Sequence, residues 1–138
     1  MSYLLDTNII SELRKKQPNS HLLDWFHTTE KEQLFISCLT LGEIKQGIVK
    51  LEKKDNEQAF VISKWLNMIQ NSFSSRILRI NIESSLIWGK FMAMDTTNPI
   101  DALIAAQAYQ HNLTMVTRNL KHISKLPVRS FNPFSTTP

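Results

Sequence analysis

Apolar residues in this chain fall into two alternating patterns. Short continuous runs occur at Tyr3-Leu4-Leu5, Leu34-Phe35-Ile36, Ile77-Leu78-Arg79-Ile80 and Thr114-Met115-Val116. Between them lie longer stretches in which apolar residues recur every three or four positions. Short, largely apolar runs are what strands look like when helices cover both faces of their sheet. The stretches between them predict helices over 7–14, 21–28, 40–50, 55–71, 83–94 and 99–111, and residues 128–131 an edge strand. On the longest helix Ala59, Ile62, Trp65, Leu66 and Ile69 form one stripe. Leu86, Ile87, Phe91 and Met92, and then Ile100, Leu103, Ile104 and Ala108, are the expected inward residues of the last two helices. Strands alternating with helices predict an α/β fold with a mostly parallel sheet. Its functional residues are expected just beyond the carboxyl ends of the strands.

Size and composition narrow the field further. A 138-residue, 16.0 kDa chain buries about two-thirds of its unfolded surface, enough for one core. A single domain over 1–132 with a frayed tail over 133–138 is expected. One cysteine, Cys38, excludes an internal disulfide and a multi-cysteine zinc site. The three glycines, Gly42, Gly47 and Gly89, cannot spell either G-x-G-x-x-G or a P-loop. No histidine pair has H-x-x-x-H spacing, and no G-x-S-x-G elbow is present. With no signal sequence visible and no membrane-length apolar run, a cytoplasmic protein is expected. The formal net charge is +4, and no acid follows Asp101, whereas Arg118, Lys121, Lys125 and Arg129 do. That end is either a solvated basic face or an edge that contacts phosphates.

Beyond the predicted strands the residues able to do chemistry are few. Asp6 follows the first run directly, with Asn8 two residues on; Glu43 lies a turn into the helix after the second run. Asp101 sits behind Asn98-Pro99 at the start of a helix, and Thr117-Arg118-Asn119 closes the last apolar run. Each acid has a purely structural use. Asp6 can cap the first helix, Thr40-Leu41-Gly42-Glu43 fits a capping box, and Asp101 suits the helix dipole behind an Asn98 cap. Those uses leave unexplained why all three fall at one end of one sheet. If they converge, like charges within several ångströms cannot all stay ionised without a counter-ion. Oxygen-only ligands select Mg²⁺, with Mn²⁺ as a substitute, over Zn²⁺. A basic protein with an acidic metal pocket points to phosphodiester hydrolysis.

These segments resemble a known family. Leu4-Leu5-Asp6-Thr7-Asn8-Ile9-Ile10-Ser11-Glu12, Ser37 to Ile44, Pro99-Ile100-Asp101-Ala102-Leu103-Ile104-Ala105-Ala106 and Val116-Thr117-Arg118-Asn119 are similar, in order, to the blocks of PIN-domain ribonucleases of the VapC toxin type. The resemblance implies a three-layer α/β/α sandwich around a short, mostly parallel sheet. It implies a Mg²⁺- or Mn²⁺-dependent endoribonuclease toxin acting on structured RNA such as tRNA or rRNA. A cognate VapB-type antitoxin and a homodimer are implied as partners. Asp6, Glu43 and Asp101 would be the catalytic, metal-binding acids, with Thr7, Asn8, Thr117 and Asn119 supporting them. Arg118 and Lys121 are the expected RNA phosphate contacts. The chain departs from the family in lacking a fourth acid near the last block, where Asn119 and His122 stand as candidates. One well-held ion is favoured, with two left open. The other histidines are expected at the surface or at helix ends, and Asp95 as an exposed helix-end acid. The alternative is a catalytically impaired PIN-fold protein that binds nucleic acid or docks an antitoxin.

Overall fold

The computed structural model describes residues 1–94 and 98–135. Five parallel strands, β1 (Tyr3–Leu5), β2 (Leu34–Ser37), β3 (Ile77–Leu78), β4 (Thr114–Val116) and β5 (Ser130–Phe131), form one sheet in the order β3-β2-β1-β4-β5. Six helices connect them: α1 (Thr7–Leu13), α2 (Ser20–Thr28), α3 (Cys38–Glu52), α4 (Asn56–Ser72), α5 (Ile82–Ala93) and α6 (Pro99–Gln110). Alternation along the strands sorts them into layers. Leu5, Leu34, Ile36 and Val116 pack with Ile9, Ile10, Leu22, Ile44, Ile48, Ala59 and Leu66, which places α1 to α4 on one face. Leu4 and Met115 pack with Phe91, Ile104, Ala105 and Ala108, which places α5 and α6 on the other. The expected α/β/α sandwich is therefore present.

The chain runs outward from β1 through β2 to β3, then crosses to β4 and β5 on the far side of β1. The strand order thus reverses between β1 and β4. In parallel α/β sheets such a reversal is the point at which the loops part and ligands bind, beyond the carboxyl ends of the strands.

Several boundaries differ from expectation for physical reasons. The strand expected over 77–80 stops at Leu78 because β2, its partner, gives way to helix at Cys38. The fully buried Gln107 amide instead donates to the Leu78 and Arg79 carbonyls, both at 3.2 Å. On α5 the inward positions are Ser84, Ile87, Trp88 and Phe91, a clean three-and-four spacing. Leu86 lies on the opposite side and is 71% exposed, correcting its inward placement. Ile100, also expected inward, is exposed at the first turn of α6, where Ala102 and the alanines after it meet the sheet. The packed part of the chain continues past residue 132: Pro133 is buried and Phe134 packs against the core. Asp95 and residues 136–138 lie outside the described residues. Among the described residues no helix is long and apolar enough to cross a membrane.

Candidate active site

Asp6 lies at the switch point between β1 and β4. Its backbone N–H extends the ladder to Val116 O at 2.9 Å, which holds the residue in extended geometry while the chain turns into α1. Asp6 is the N-cap of α1, and its Oδ1 accepts from the Thr7 amide at 2.8 Å. The cap uses one oxygen only. Oδ2 accepts from the Thr117 hydroxyl at 2.8 Å and from Asn8 Nδ2 at 3.3 Å. Thr117 in turn accepts from the Asn119 backbone N–H at 3.0 Å, and Asn8 Oδ1 accepts from the Arg118 N–H at 3.3 Å. The loop after β4 is thereby stitched to the start of α1.

The second acid comes from α3. A capping box at Thr40 does not form, because α3 starts earlier: Ser37 is its N-cap, and the Ser37 hydroxyl accepts from Leu39 N at 3.1 Å. Thr40 and Glu43, three apart, then share a face that meets Thr7. The Thr7 hydroxyl donates to Glu43 Oε1 at 2.5 Å and lies 3.0 Å from the buried Thr40 hydroxyl. The third acid opens α6. Asn98 caps the helix by accepting from the Ile100 and Asp101 amides at 3.0 and 3.1 Å, with Pro99 at the first helical position. Trp88 Nε1 ties that turn down by donating to Pro99 O at 3.0 Å. Asp101 Oδ2 meets His122 Nδ1 at 2.8 Å.

Electrostatics couple the other two acids to Asp6. Asp6 is 4% exposed, and its pKa is pushed up to about 6. Burial is the largest cause; the Thr117 hydroxyl opposes it, the Asp101 charge raises it, the Thr7 amide opposes it, and the Glu43 charge raises it further. Both other acids therefore act on Asp6, although they lie 37 and 95 positions away in the sequence.

The sequence matches the PIN domain over residues 3–127. The chain belongs to the PIN-domain family. It is 32% identical to the toxin FitB of Neisseria gonorrhoeae over 95% of this chain and 97% of that protein. It is 30% identical to ribonuclease VapC2 of Rickettsia felis, covering 92% of this chain and 93% of that one. The crystal structure of FitAcB from Neisseria gonorrhoeae superposes with a TM-score of 0.88 at 30% identity, covering 96% of this chain and 98% of that chain. A structure of VapBC2 from Rickettsia felis bound to a promoter DNA fragment gives 0.72 at 26% identity, over 96% and 98%. This PIN domain is thus a homologue of VapC-type ribonuclease toxins.

Within the PIN domain, Asp6, Thr7, Asn8, Glu43 and Thr117 are joined by hydrogen bonds at the carboxyl end of the sheet, and Asp101 lies near enough to act on Asp6 through its charge. Asn119 contributes its backbone N–H to Thr117. Lys121 is exposed on the turn that carries His122. Two participants escaped the sequence reading. Thr40, which also fits a capping box, meets the Thr7 hydroxyl beside Glu43, and its three-residue spacing from Glu43 is the signal in the sequence. His122, a candidate replacement for a fourth acid, is the hydrogen-bond partner of Asp101. Among the described residues no three Asp, Glu, His or Cys side chains already stand together as a ligand set for a metal ion. Glu43 and Asp101 each rest on a partner of their own, Thr7 and His122. The chemistry of the set nevertheless fits a hard dication: all three donors are carboxylates, and the buried one has its pKa raised chiefly by burial, with the charges of the other two adding to the rise.

Proposed function

We propose that this PIN domain is a Mg²⁺- or Mn²⁺-dependent endoribonuclease toxin that cuts structured RNA, either tRNA or rRNA. The observation that carries the reading is the placement of Asp6: 4% exposed at the switch point of the sheet, held by Thr117, Asn8 and the Thr7 amide, and near enough to Asp101 and Glu43 for their charges to add to the rise that burial imposes on its pKa. A site that stores like charge in this way is stabilised by a cation. Asp6, Glu43 and Asp101 would hold the ion. When bound, a dication would polarise a phosphoryl oxygen and make a bound water more acidic. The remaining work belongs to the chain. Thr117, the Thr7 amide and Asn8 fix the Asp6 carboxylate; the Thr7 hydroxyl fixes Glu43; His122 fixes Asp101. Second partners that orient ligand carboxylates are a regular part of metal sites. Arg118 and Lys121, exposed beside the site, take flanking phosphates.

Complexes of paired proteins are among the structural relatives, including FitAB bound to a DNA fragment and VapBC2. By that similarity the partner is a VapB-type antitoxin that neutralises the site. A homodimer is assigned on the family resemblance, and the exposed Ile82 and Leu86 of α5 offer it an apolar face. A cytoplasmic location follows from an RNA substrate.

The test is incubation of purified, antitoxin-free protein with total tRNA and rRNA, with Mg²⁺ or Mn²⁺ and with or without EDTA, beside Asp6→Asn. Discrete fragments that require both metal and Asp6 are expected. Intact RNA from folded protein would move the assignment to a PIN-fold protein that only binds nucleic acid or antitoxin. The absence of any acid after Asp101 favours that second reading.

A further inference from the structure

Arg118 is tethered at its backbone, where its N–H donates to Asn8 Oδ1, one residue beyond the Thr117 that holds Asp6. Its side chain is not left to solvent alone. The guanidinium lies over the Phe134 ring, 4.9 Å from the centroid. Phe134 is itself fixed: its backbone N–H donates to Asn132 Oδ1 at 2.9 Å, Pro133 before it is buried, and its ring packs against the core on the α1 side of the sheet. A second influence comes from Glu12. Its carboxyl is held below the usual range first by the hydrogen bond from Lys15, and the Arg118 charge adds to that lowering. An arginine held over a ring loses less rotamer freedom when an anion arrives. Lysine on a free stem would pay that cost in full.

We propose that Phe134 is a positioning residue for RNA: its ring holds the Arg118 guanidinium at the rim of the site, ready for a backbone phosphate next to the one being cut. The proposal rests on the ribonuclease reading, and it gives a role to the stretch of chain after the last strand, which lies far from Asp6 in sequence. Phe134 touches no substrate in this scheme and acts only through Arg118.

The experiment measures binding of a fluorescein-labelled tRNA by anisotropy, in EDTA so that no cleavage intervenes, for the full chain and for Phe134→Leu, Phe134→Trp, Arg118→Ala and Phe134→Leu/Arg118→Ala. Leucine keeps the half-buried apolar bulk and removes the π face; tryptophan keeps the face. An exposed cation–π contact predicts that Phe134→Leu weakens binding about two- to fivefold. Phe134→Trp should bind as wild type, and the double variant no worse than Arg118→Ala. In cleavage assays KM should rise by the same factor while kcat holds. Phe134→Leu binding as tightly as wild type would overturn the proposal, as would a further loss in the double variant. So would an equal loss in Phe134→Trp from folded protein. If wild type cleaves no RNA but the anisotropy pattern holds, the nuclease reading fails and the Arg118–Phe134 device stands.

Discussion

Replacing Asp6 by asparagine tests the electrostatics of the site without any substrate. Between pH 3.8 and about 6 the folded state holds the Asp6 proton more tightly than the unfolded chain does. Stability therefore falls as pH rises through that window and levels off above it. At 1.36 kcal/mol per tenfold, the ionised carboxylate costs the folded protein about 3 kcal/mol at pH 7.5, about 1 at pH 4.5 and almost nothing below pH 3.5. Asparagine removes that cost and keeps the cap on Thr7, but it loses an acceptor for the Thr117 hydroxyl, worth about 1 kcal/mol at any pH. In EDTA, Asp6→Asn is thus expected to be about 2 kcal/mol more stable than wild type at pH 7.5 and about equal to it near pH 4.5. Urea melts read the difference as a midpoint gap that opens by about 1 M over that range. A gap that stays constant from pH 4.5 to 7.5 would refute the argument, because only a carboxyl titrating differently in the two states makes the gap depend on pH. Adding Mg²⁺ at pH 7.5 should stabilise wild type and leave the variant unmoved.

Other consequences follow from the same geometry. His122→Ala frees the Asp101 carboxylate from its partner and should weaken Mg²⁺ binding by about 10- to 100-fold by titration calorimetry, with little change in thermal stability. Asp101→Asn should abolish RNA cleavage while the circular dichroism spectrum is retained, since the Asn98 cap and Pro99 carry the helix start. Arg118→Ala should reduce the salt dependence of RNA binding, lowering the slope of log K against log salt by about 0.7 for one phosphate contact. Phe91→Ala, at the centre of the core under α5 and α6, should cost about 3–5 kcal/mol in urea unfolding and leave the acids in place.

The layers of this fold were readable because they rest on local rules. Leu4-Leu5 followed by Asp6 is a buried strand ending in a cap, and Asn98-Pro99 is a helix start, whatever the rest of the chain does. Helix faces were less readable where neighbours chose them. Leu86 and Ile100 are apolar, yet α5 and α6 turn Ser84, Phe91 and the alanines of α6 inward. Two helices packed together on one sheet face reward small side chains that permit close approach. The polar partners were legible only in part. Asp6, Glu43 and Asp101 could be picked out as acids at the ends of strands and the starts of helices.

What the sequence determines by itself, then, is the alternation of strand and helix, the caps, and the residue types able to hold a hard cation. Tertiary structure alone decides that the order of strands reverses between β1 and β4, and so that Asp6 and Thr117 share a hydrogen bond across 111 positions. It also decides that Asp6 is buried deeply enough to feel both other acids, that His122 meets Asp101, and that Arg118 comes to rest on Phe134. Caps and stripes depend on neighbours within a turn or two of chain, whereas a pKa and a stacked guanidinium depend on distances that exist only after the sheet has closed.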